Sequence, residues 1–156
     1  MSAEVARAAA ALHDLTQLLT TTAHLIAERF GFYHAGIFLR DEAGEWAVLR
    51  AANSAGGQRM LARGHRLRIG QQGIVGFVLA TGQPRIALNV GEDAVHFRNP
   101  DLPETQAEMA VPMRGRAGLI GALDVQATEV NAFTDDDIAA LQTLADQLAV
   151  AIDNAR

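Results

Sequence analysis

The two ends of the chain constrain its fold most strongly, because both carry apolar residues at helical spacing. In residues 1–30, large apolar side chains recur at intervals of three, four and seven, and Gly31 follows as a stop signal. The stretch over residues 134–156 begins at Thr134, whose hydroxyl can cap a helix, and repeats apolar residues every three or four positions. We therefore predict an N-terminal and a C-terminal helix. The Ala-rich first turns of the former are expected to extend past the globule.

Short apolar segments between glycine-containing turns fill the middle of the chain. Six of them have the length and composition of strands, and one has the spacing of a short helix. The strands are predicted at 35–39, 46–49, 66–69, 84–88, 108–114 and 119–126, the helix at 74–80 and a glycine-rich turn at 53–57. This order predicts an α+β fold with a six-stranded antiparallel sheet, both terminal helices on one face, and the short helix on the other.

The composition excludes several kinds of chemistry. Among 156 residues there is no cysteine and no lysine, so thiolate sites, disulfides, Schiff bases and lysine-dependent phosphate loops are absent. The formal net charge is −5 without a basic cluster, which argues against a nucleic-acid partner. No apolar run approaches the ~20 residues of a membrane span, and no secretion signal is evident. We expect a cytoplasmic protein with no membrane partner.

Residues 90–106 form one long segment with two prolines and no sustained periodicity. Unstructured connections beyond ~12–15 residues are uncommon in compact domains and are usually functional. Because Val95, Phe97 and Leu102 give this segment apolar anchors, we predict an ordered loop that covers a pocket and moves as a lid.

Three polar residues are candidate ligand contacts. Asp124 interrupts an apolar strand, so its carboxylate needs hydrogen-bond donors from loop amides, an arginine or a ligand. A hydrogen bond that stabilises the loop or the sheet is favoured over a ligand contact. Arg68 shares a strand face with Arg66 and could bind the carboxylate or phosphate group of a ligand. The favoured alternative is that both arginines lie on a solvent-exposed face and pair with acidic residues. His96 could contact a ligand or haem iron, or bond only backbone or water, whereas His65 is expected to be exposed. No paired carboxylates, Ser-His-Asp order or metal-ligand spacing stands out.

Five blocks of sequence, in the correct order, resemble those of GAF domains. They are 73–84 (GIVGFVLATGQP), 99–105 (NPDLPET), 108–113 (EMAVPM), 121–126 (GALDVQ) and 132–156. The nearest resemblance is to GAF domains of bacterial sensor kinases and other multidomain signalling proteins. It implies a single GAF domain over residues 1–156, with a profilin-like six-stranded antiparallel sheet, a ligand pocket under the long loop, and dimers through the terminal helices.

The resemblance also suggests which residues surround the pocket. They are Phe38, Ile74, Val78, Phe97, Met109 and Val111, with Arg68, His96 and Asp124 as polar contacts. The alternative is that the apolar members simply fill the core. Covalent bilin attachment and the methionine sulfoxide reductases of this fold both require cysteines, and the cyclic-nucleotide signature Asn-Lys-Phe-Asp-Glu requires a lysine. We expect no cofactor, with non-covalent haem held by a histidine such as His96 as the alternative.

These features predict a non-enzymatic regulatory domain of a signal-transduction protein, such as a two-component system, that senses an unidentified small molecule. A non-covalent haem sensor is the alternative. We expect a parallel homodimer through the first and last helices, with its contact around Leu148 and Ile152. The last helix is expected to continue into an output domain such as a histidine kinase.

Overall fold

A computed structural model describes residues 2–156. Within them the elements are α1 (Ala3–Phe30), β1 (His34–Arg40), β2 (Trp46–Ala52), α2 (Ala55–Ala62), β3 (Arg66–Arg68), α3 (Gly73–Thr81), β4 (Arg85–Ala87), a 3₁₀ turn (Val90–Glu92), β5 (Ala107–Gly115), β6 (Gly118–Ala127) and α4 (Asp135–Ala155). The strands form one antiparallel sheet in the order β3-β2-β1-β6-β5-β4. The predicted α+β class and six-stranded antiparallel sheet are confirmed.

The terminal helices begin and end where their sequence signals predict. Ser2 caps α1 by accepting from the Val5 amide at 3.1 Å, and Gly31 ends it with a φ of 72°. Thr134 and Asp137 form a reciprocal capping box at the start of α4. Residues 3–14 of α1 are all exposed, in agreement with the expectation that its first turns extend past the globule.

Both terminal helices cover the same face of the sheet, as predicted. Leu19 and Ile26 of α1 and Leu141 of α4 are buried there against alternate strand residues such as Ile37 and Leu123. This layer also buries Leu148 and Ile152, at 5% and 0% exposure, so the residues predicted to form a dimer contact are part of the domain's own core.

The opposite face carries α2, α3 and the long loop. Its core includes Phe38, Ile74 and Val78, together with Met60 of α2 and Leu102 of the loop. Successive strand residues point to opposite faces of the sheet, so neighbouring residues in one strand belong to different cores. No helix among residues 2–156 is long and apolar enough to cross a membrane.

Met109 and Val111 of β5 correct the prediction of the pocket lining. Both are buried among the side chains of α1 and α4, on the face opposite α3. The residues of β5 that point towards α3 are Glu108, Ala110 and Pro112, because they alternate with Met109 and Val111. The prediction that Met109 and Val111 line the pocket therefore assigned both side chains to the wrong face of the sheet.

The helix α2 replaces the turn predicted at residues 53–57. Ser54 caps it by accepting from the Gly57 amide at 2.8 Å. The two glycines that suggested a turn lie inside the helix because neighbouring atoms approach them closely. A Cβ at Gly56 would overlap the carbonyl oxygen of Asp101, and one at Gly57 would come within 2.5 Å of the Ala52 Cβ. Here tertiary contact outweighs the low helix propensity of glycine.

Candidate functional site

The long loop lies over the α3 face and is attached chiefly through its second half. Leu102 is buried in the core at 3% exposure, whereas Phe97 is 37% exposed and is the weaker anchor. The Asp101 carboxylate accepts from Arg59 Nε at 3.2 Å and from Arg63 Nε at 3.0 Å, which connects the loop to α2. The loop is therefore ordered, as predicted, and its attachment combines one buried side chain with exposed ion pairs.

Beneath this loop a row of polar side chains crosses the centre of the sheet. The strand register places His34 of β1 opposite Gln126 of β6, and Gln126 opposite Glu108 of β5. In the next row Asp124 lies opposite Gly36, which has no side chain to cover it. All four polar residues are buried. Such a cluster in the middle of a sheet is costly unless its atoms are hydrogen-bonded.

Gln126 is the centre of the hydrogen-bond network in this row. Its Nε2 donates to Asp124 Oδ2 at 2.8 Å and to Glu108 Oε2 at 3.2 Å, and its Oε1 accepts from Thr105 Oγ1 at 2.7 Å. Glu108 Oε1 pairs with His96 Nδ1 at 2.7 Å. Because Thr105 and His96 belong to the loop, the network connects the floor of the site to its cover.

The carboxyl groups of Asp124 and Glu108 are electrostatically unusual. Burial raises the pKa of both, and for Asp124 the neighbouring Glu108 carboxylate raises the pKa further. Burial also lowers the pKa of His96, although the charge of Asp124 opposes that change. The carboxyl pair therefore holds a proton to higher pH than an isolated carboxyl group would. This pair was missed in the sequence, where no paired carboxylates were recognised.

Two buried side-chain atoms in this region have no hydrogen-bond partner among the described residues. They are Asp124 Oδ1 and His34 Nε2. His34 Nδ1 pairs with Ser54 Oγ at 2.7 Å, and burial, with a smaller effect from His65, lowers the pKa of His34 to about 4. The imidazole is neutral at pH 7. Since an unpartnered buried polar atom costs about 1–3 kcal/mol, these two atoms mark a place where a further group can bind.

A small cavity lies above Asp124. Its volume is about 20 Å³, which is room for about one water molecule. Glu108, Gln126 and Asp124 contribute its polar side, while Phe38 and Ile74 contribute apolar walls. The closed cavity is thus far below the ~300–1,000 Å³ of typical ligand sites.

A larger groove of about 300 Å³ lies on the outer side of the loop. His96 and Arg98 line this groove, Phe97 lines the inner cavity, and Asn99 lines both. Residues 96–99 therefore form the wall between groove and cavity.

The structure brings together five of the nine predicted site residues. Phe38, Ile74, Phe97 and Asp124 line the inner cavity, and His96 joins them through its contact with Glu108.

The remaining four predicted residues lie elsewhere. Val78 is buried in the same core without lining the cavity. Arg68 lies outside it, 3.5 Å from a Glu45 carboxylate oxygen and over the Trp46 ring, the solvated arrangement favoured from the sequence. Met109 and Val111 pack on the opposite face, as described above.

His65 was expected to be exposed and is instead 6% exposed. Its ring lies 6.1 Å from both the Phe38 and the Phe97 rings, on the wall of the cavity. Burial, together with the charge of Arg63, lowers its pKa to about 4. The burial of His65 could have been predicted from Leu67, because residues two apart in a strand lie on the same face and Leu67 is buried.

No group of three or more histidine, aspartate and glutamate side chains within residues 2–156 could hold a metal ion. The site is therefore a buried acidic and amide cluster beneath a loop, a combination suited to holding a small molecule by hydrogen bonds.

The fold is thus an α+β domain with an antiparallel sheet, the terminal helices on one face and a loop-covered polar cluster on the other. The chain belongs to the GAF domain family, whose model matches residues 13–153. GAF domains are generally regulatory, ligand-sensing domains of signalling proteins. A search of curated protein sequences returned no match.

Solved structures share the fold at low sequence identity. The GAF domain of a phosphoenolpyruvate-protein phosphotransferase from Coxiella burnetii is 21% identical, with a TM-score of 0.81, covering 97% of this chain and 94% of that one. The corresponding Acinetobacter domain is 20% identical, with a TM-score of 0.77 and coverage of 99% and 96%. The free methionine-R-sulfoxide reductase of Neisseria meningitidis, solved in complex with its substrate, is 22% identical, with a TM-score of 0.75 and coverage of 92% and 81%.

Proposed function

We propose that this GAF domain is a non-enzymatic regulatory module that binds a small molecule in the cavity above Asp124. The observation that carries the proposal is Asp124 Oδ1, a fully buried carboxyl oxygen without a hydrogen-bond partner that belongs to a residue lining the cavity. An unpartnered buried polar atom calls for an explanation, and a bound molecule that donates a hydrogen bond to it supplies one. The proposed setting is a cytoplasmic signalling protein, such as a two-component system.

Entry of the ligand requires the wall at residues 96–99 to move. The inner cavity has about 20 Å³, and displacing this wall joins it to the outer groove of about 300 Å³. The loop is held by Leu102, by the buried contacts of His96 with Glu108 and of Thr105 with Gln126, and by exposed Asp101 ion pairs that contribute only ~0–1 kcal/mol each. Moving residues 96–99 breaks the His96 contact to Glu108, so a ligand that replaces this contact changes how the loop closes.

The proposed output runs through the terminal helices. Phe32, just after α1, packs edge-on against Phe133, just before α4, so the end of α1 and the start of α4 lie together. The end of α4 lies at the β5–β6 turn, where Asp153 accepts from the Arg116 amide at 2.8 Å. The start of α1 and the end of α4 therefore lie at the same end of the sheet, where a small shift in their packing reaches an output domain such as a histidine kinase.

Dimerisation is proposed through the exposed first half of α1. Val5, Ala8 and Leu12 continue, at intervals of three and four, the apolar stripe that is buried at Leu15 and Leu19. Among residues 2–156 nothing covers the stripe beyond the sheet, and its spacing is that of a coiled-coil seam. This position replaces the contact predicted at the end of α4.

Two other readings have less support. The reductase from Neisseria shares the fold, but this chain has no cysteine. Haem has less support because the groove beside His96 is lined in part by polar loop residues such as Arg98 and Asn99, although the Glu108 contact to Nδ1 leaves His96 Nε2 free to ligate a metal. An absorbance spectrum after haem feeding tests the second reading, and a Soret band lost in His96→Ala would favour it.

The proposal is tested by releasing what the purified domain carries. The wild-type domain, Asp124→Leu and the surface control Asp14→Asn are purified alike, denatured and analysed by mass spectrometry for small molecules. We expect a compound present with the wild type and the control and lost with Asp124→Leu. If all three proteins carry the same compounds, or none retains one after exposure to a cell extract, the cavity is not a sensor site.

A further inference from the structure

We propose that the molecule bound above Asp124 carries a primary ammonium group and a short apolar tail, with the ammonium group donating to Asp124 Oδ1 and Glu108. This inference rests on the proposed function and specifies the chemical class of the ligand. The juxtaposition that carries it is a buried carboxyl pair with an unpartnered oxygen, next to aromatic and aliphatic walls.

The charge of the site favours a cation. Glu108 and Asp124 are 6% and 1% exposed, and besides each other their side-chain partners within the described network are Gln126 and His96, with no guanidinium among them. The nearby Asp93 is already paired with Arg85 at 3.1 Å. A carboxylate or phosphate ligand would meet two carboxyl groups in a dry environment, and such like-charge contacts are strongly unfavourable.

The number of hydrogen-bond donors around the carboxyl pair also favours a cationic ligand. Gln126 uses its single amide nitrogen on both carboxyl groups, and the Thr105 hydroxyl is used on Gln126 Oε1. A proton shared between Glu108 and Asp124 supplies one further hydrogen bond, which lies between the two carboxyl groups, and no other group of the network donates to Asp124 Oδ1. An ammonium group brings three donors and no acceptor, and hydrogen bonds between ionised groups are about twice as strong as neutral ones. A hydroxyl group would satisfy one oxygen but leave the charge uncompensated.

The walls of the cavity define the rest of the ligand. Phe38, Ile74 and Phe97 face the space beside the carboxyl pair, and His65 is held neutral there by burial. These surfaces accept an alkyl or aromatic tail. The combined space of cavity and groove, once residues 96–99 move, limits the ligand to the size of a small metabolite.

Three probes of equal length separate the head groups: n-butylamine, n-butanol and butyrate. Each is titrated to tens of millimolar, at pH 7.5, into isotope-labelled domain, and amide chemical shifts are followed by NMR. We expect n-butylamine alone to saturate shifts at residues 108, 124, 126 and 96–99. Asp124→Asn, which keeps the shape but removes the charge, should weaken this binding by about tenfold or more. Glu108→Gln should weaken it too, while Asp14→Asn on α1 should not.

The outcomes separate this inference from the proposed function. If butanol or butyrate binds in the cavity as well as butylamine, or if Asp124→Asn binds butylamine as tightly as the wild type, the ammonium class is wrong while the cavity remains a binding site. If none of the probes shifts the site, the ammonium class is also wrong, and the compound released from the purified protein decides the sensor function separately. Amide spectra of each variant establish beforehand that it is folded.

Discussion

Gly56→Ala is expected to detach the long loop without unfolding the sheet. In the closed state a Cβ at this position overlaps the Asp101 carbonyl oxygen and comes within 2.9 Å of Leu102 Cδ2. The backbone at Gly56 is helical, so alanine is favoured by ~0.5–1 kcal/mol once the loop has moved away. The substitution therefore acts on the equilibrium between closed and open loop.

The magnitude follows from the contacts that close the loop. Burial of Leu102 contributes about 1.5–3 kcal/mol, and the exposed Arg59 and Arg63 pairs with Asp101 add ~0–1 kcal/mol each. An overlap in a packed site typically costs about 1–3 kcal/mol. We expect a shift of about 2 kcal/mol towards the open loop, or about 30-fold in the opening equilibrium.

Hydrogen exchange measures this change residue by residue. The Leu102 amide donates to Asn99 O at 3.0 Å beside the buried Leu102 side chain and reports on the loop, whereas the Gln106 amide donates to Ala127 O at 2.8 Å next to the Ala107–Ala127 pair of the sheet. Protection of the Leu102 amide should fall about 30-fold in Gly56→Ala, while that of Gln106 should change less. The matched control is Gly91→Ala, whose Cβ meets only Asn89 Oδ1 at 3.3 Å. Unchanged loop protection, or an equal loss in β1 and β6, would refute the reasoning.

Three further predictions concern stability and assembly. Burial holds the pKa of His34 near 4, against 6.5 in an unfolded chain, so protonation of His34 favours the unfolded state. When the pH falls from 6.5 to 4, the unfolding free energy of the wild type, measured in urea, should therefore decrease by about 3 kcal/mol more than that of His34→Asn. Asp124→Asn should raise unfolding free energy at pH 7 by about 1–3 kcal/mol, with a smaller gain near pH 4, because a raised carboxyl pKa costs stability only above the unfolded value; a gain that is constant with pH would contradict this. Val5→Glu with Leu12→Glu should convert a dimer to a monomer in light scattering across a dilution series, while Leu25→Glu should not. A wild type that is monomeric throughout would end the dimer proposal.

Most of the fold can be predicted from the sequence, because the terminal helices and the hairpins depend on local sequence signals. The caps at Thr134 and Gly31 and the period-two alternation of β5 and β6 were readable without tertiary information. The helix α2 was not readable, because Gly56 and Gly57 reflect close approach of Asp101 and Ala52 rather than a turn. A glycine pair has the same local signature in both cases.

The carboxyl pair was hidden for a related reason. Continuing the pairing of Gly115 with Gly118 along the hairpin would place Glu108 opposite Val125, but an irregularity between Met113 and Arg114 shifts the register by one residue. That shift places Glu108 opposite Gln126 and next to Asp124. Because the two faces of a strand exchange with a shift of one residue, neither the pair nor the orientation of Met109 followed from the alternation alone.

The most direct test of the binding site is a crystal structure of the domain soaked in n-butylamine. We expect the amine nitrogen about 2.7–3.0 Å from Asp124 Oδ1, with residues 96–99 displaced and the alkyl chain against Phe38 and Ile74. A structure in which residues 96–99 keep their closed position and Asp124 Oδ1 bonds only an internal water, at a concentration that saturates the crystal, would contradict a ligand site at this cavity.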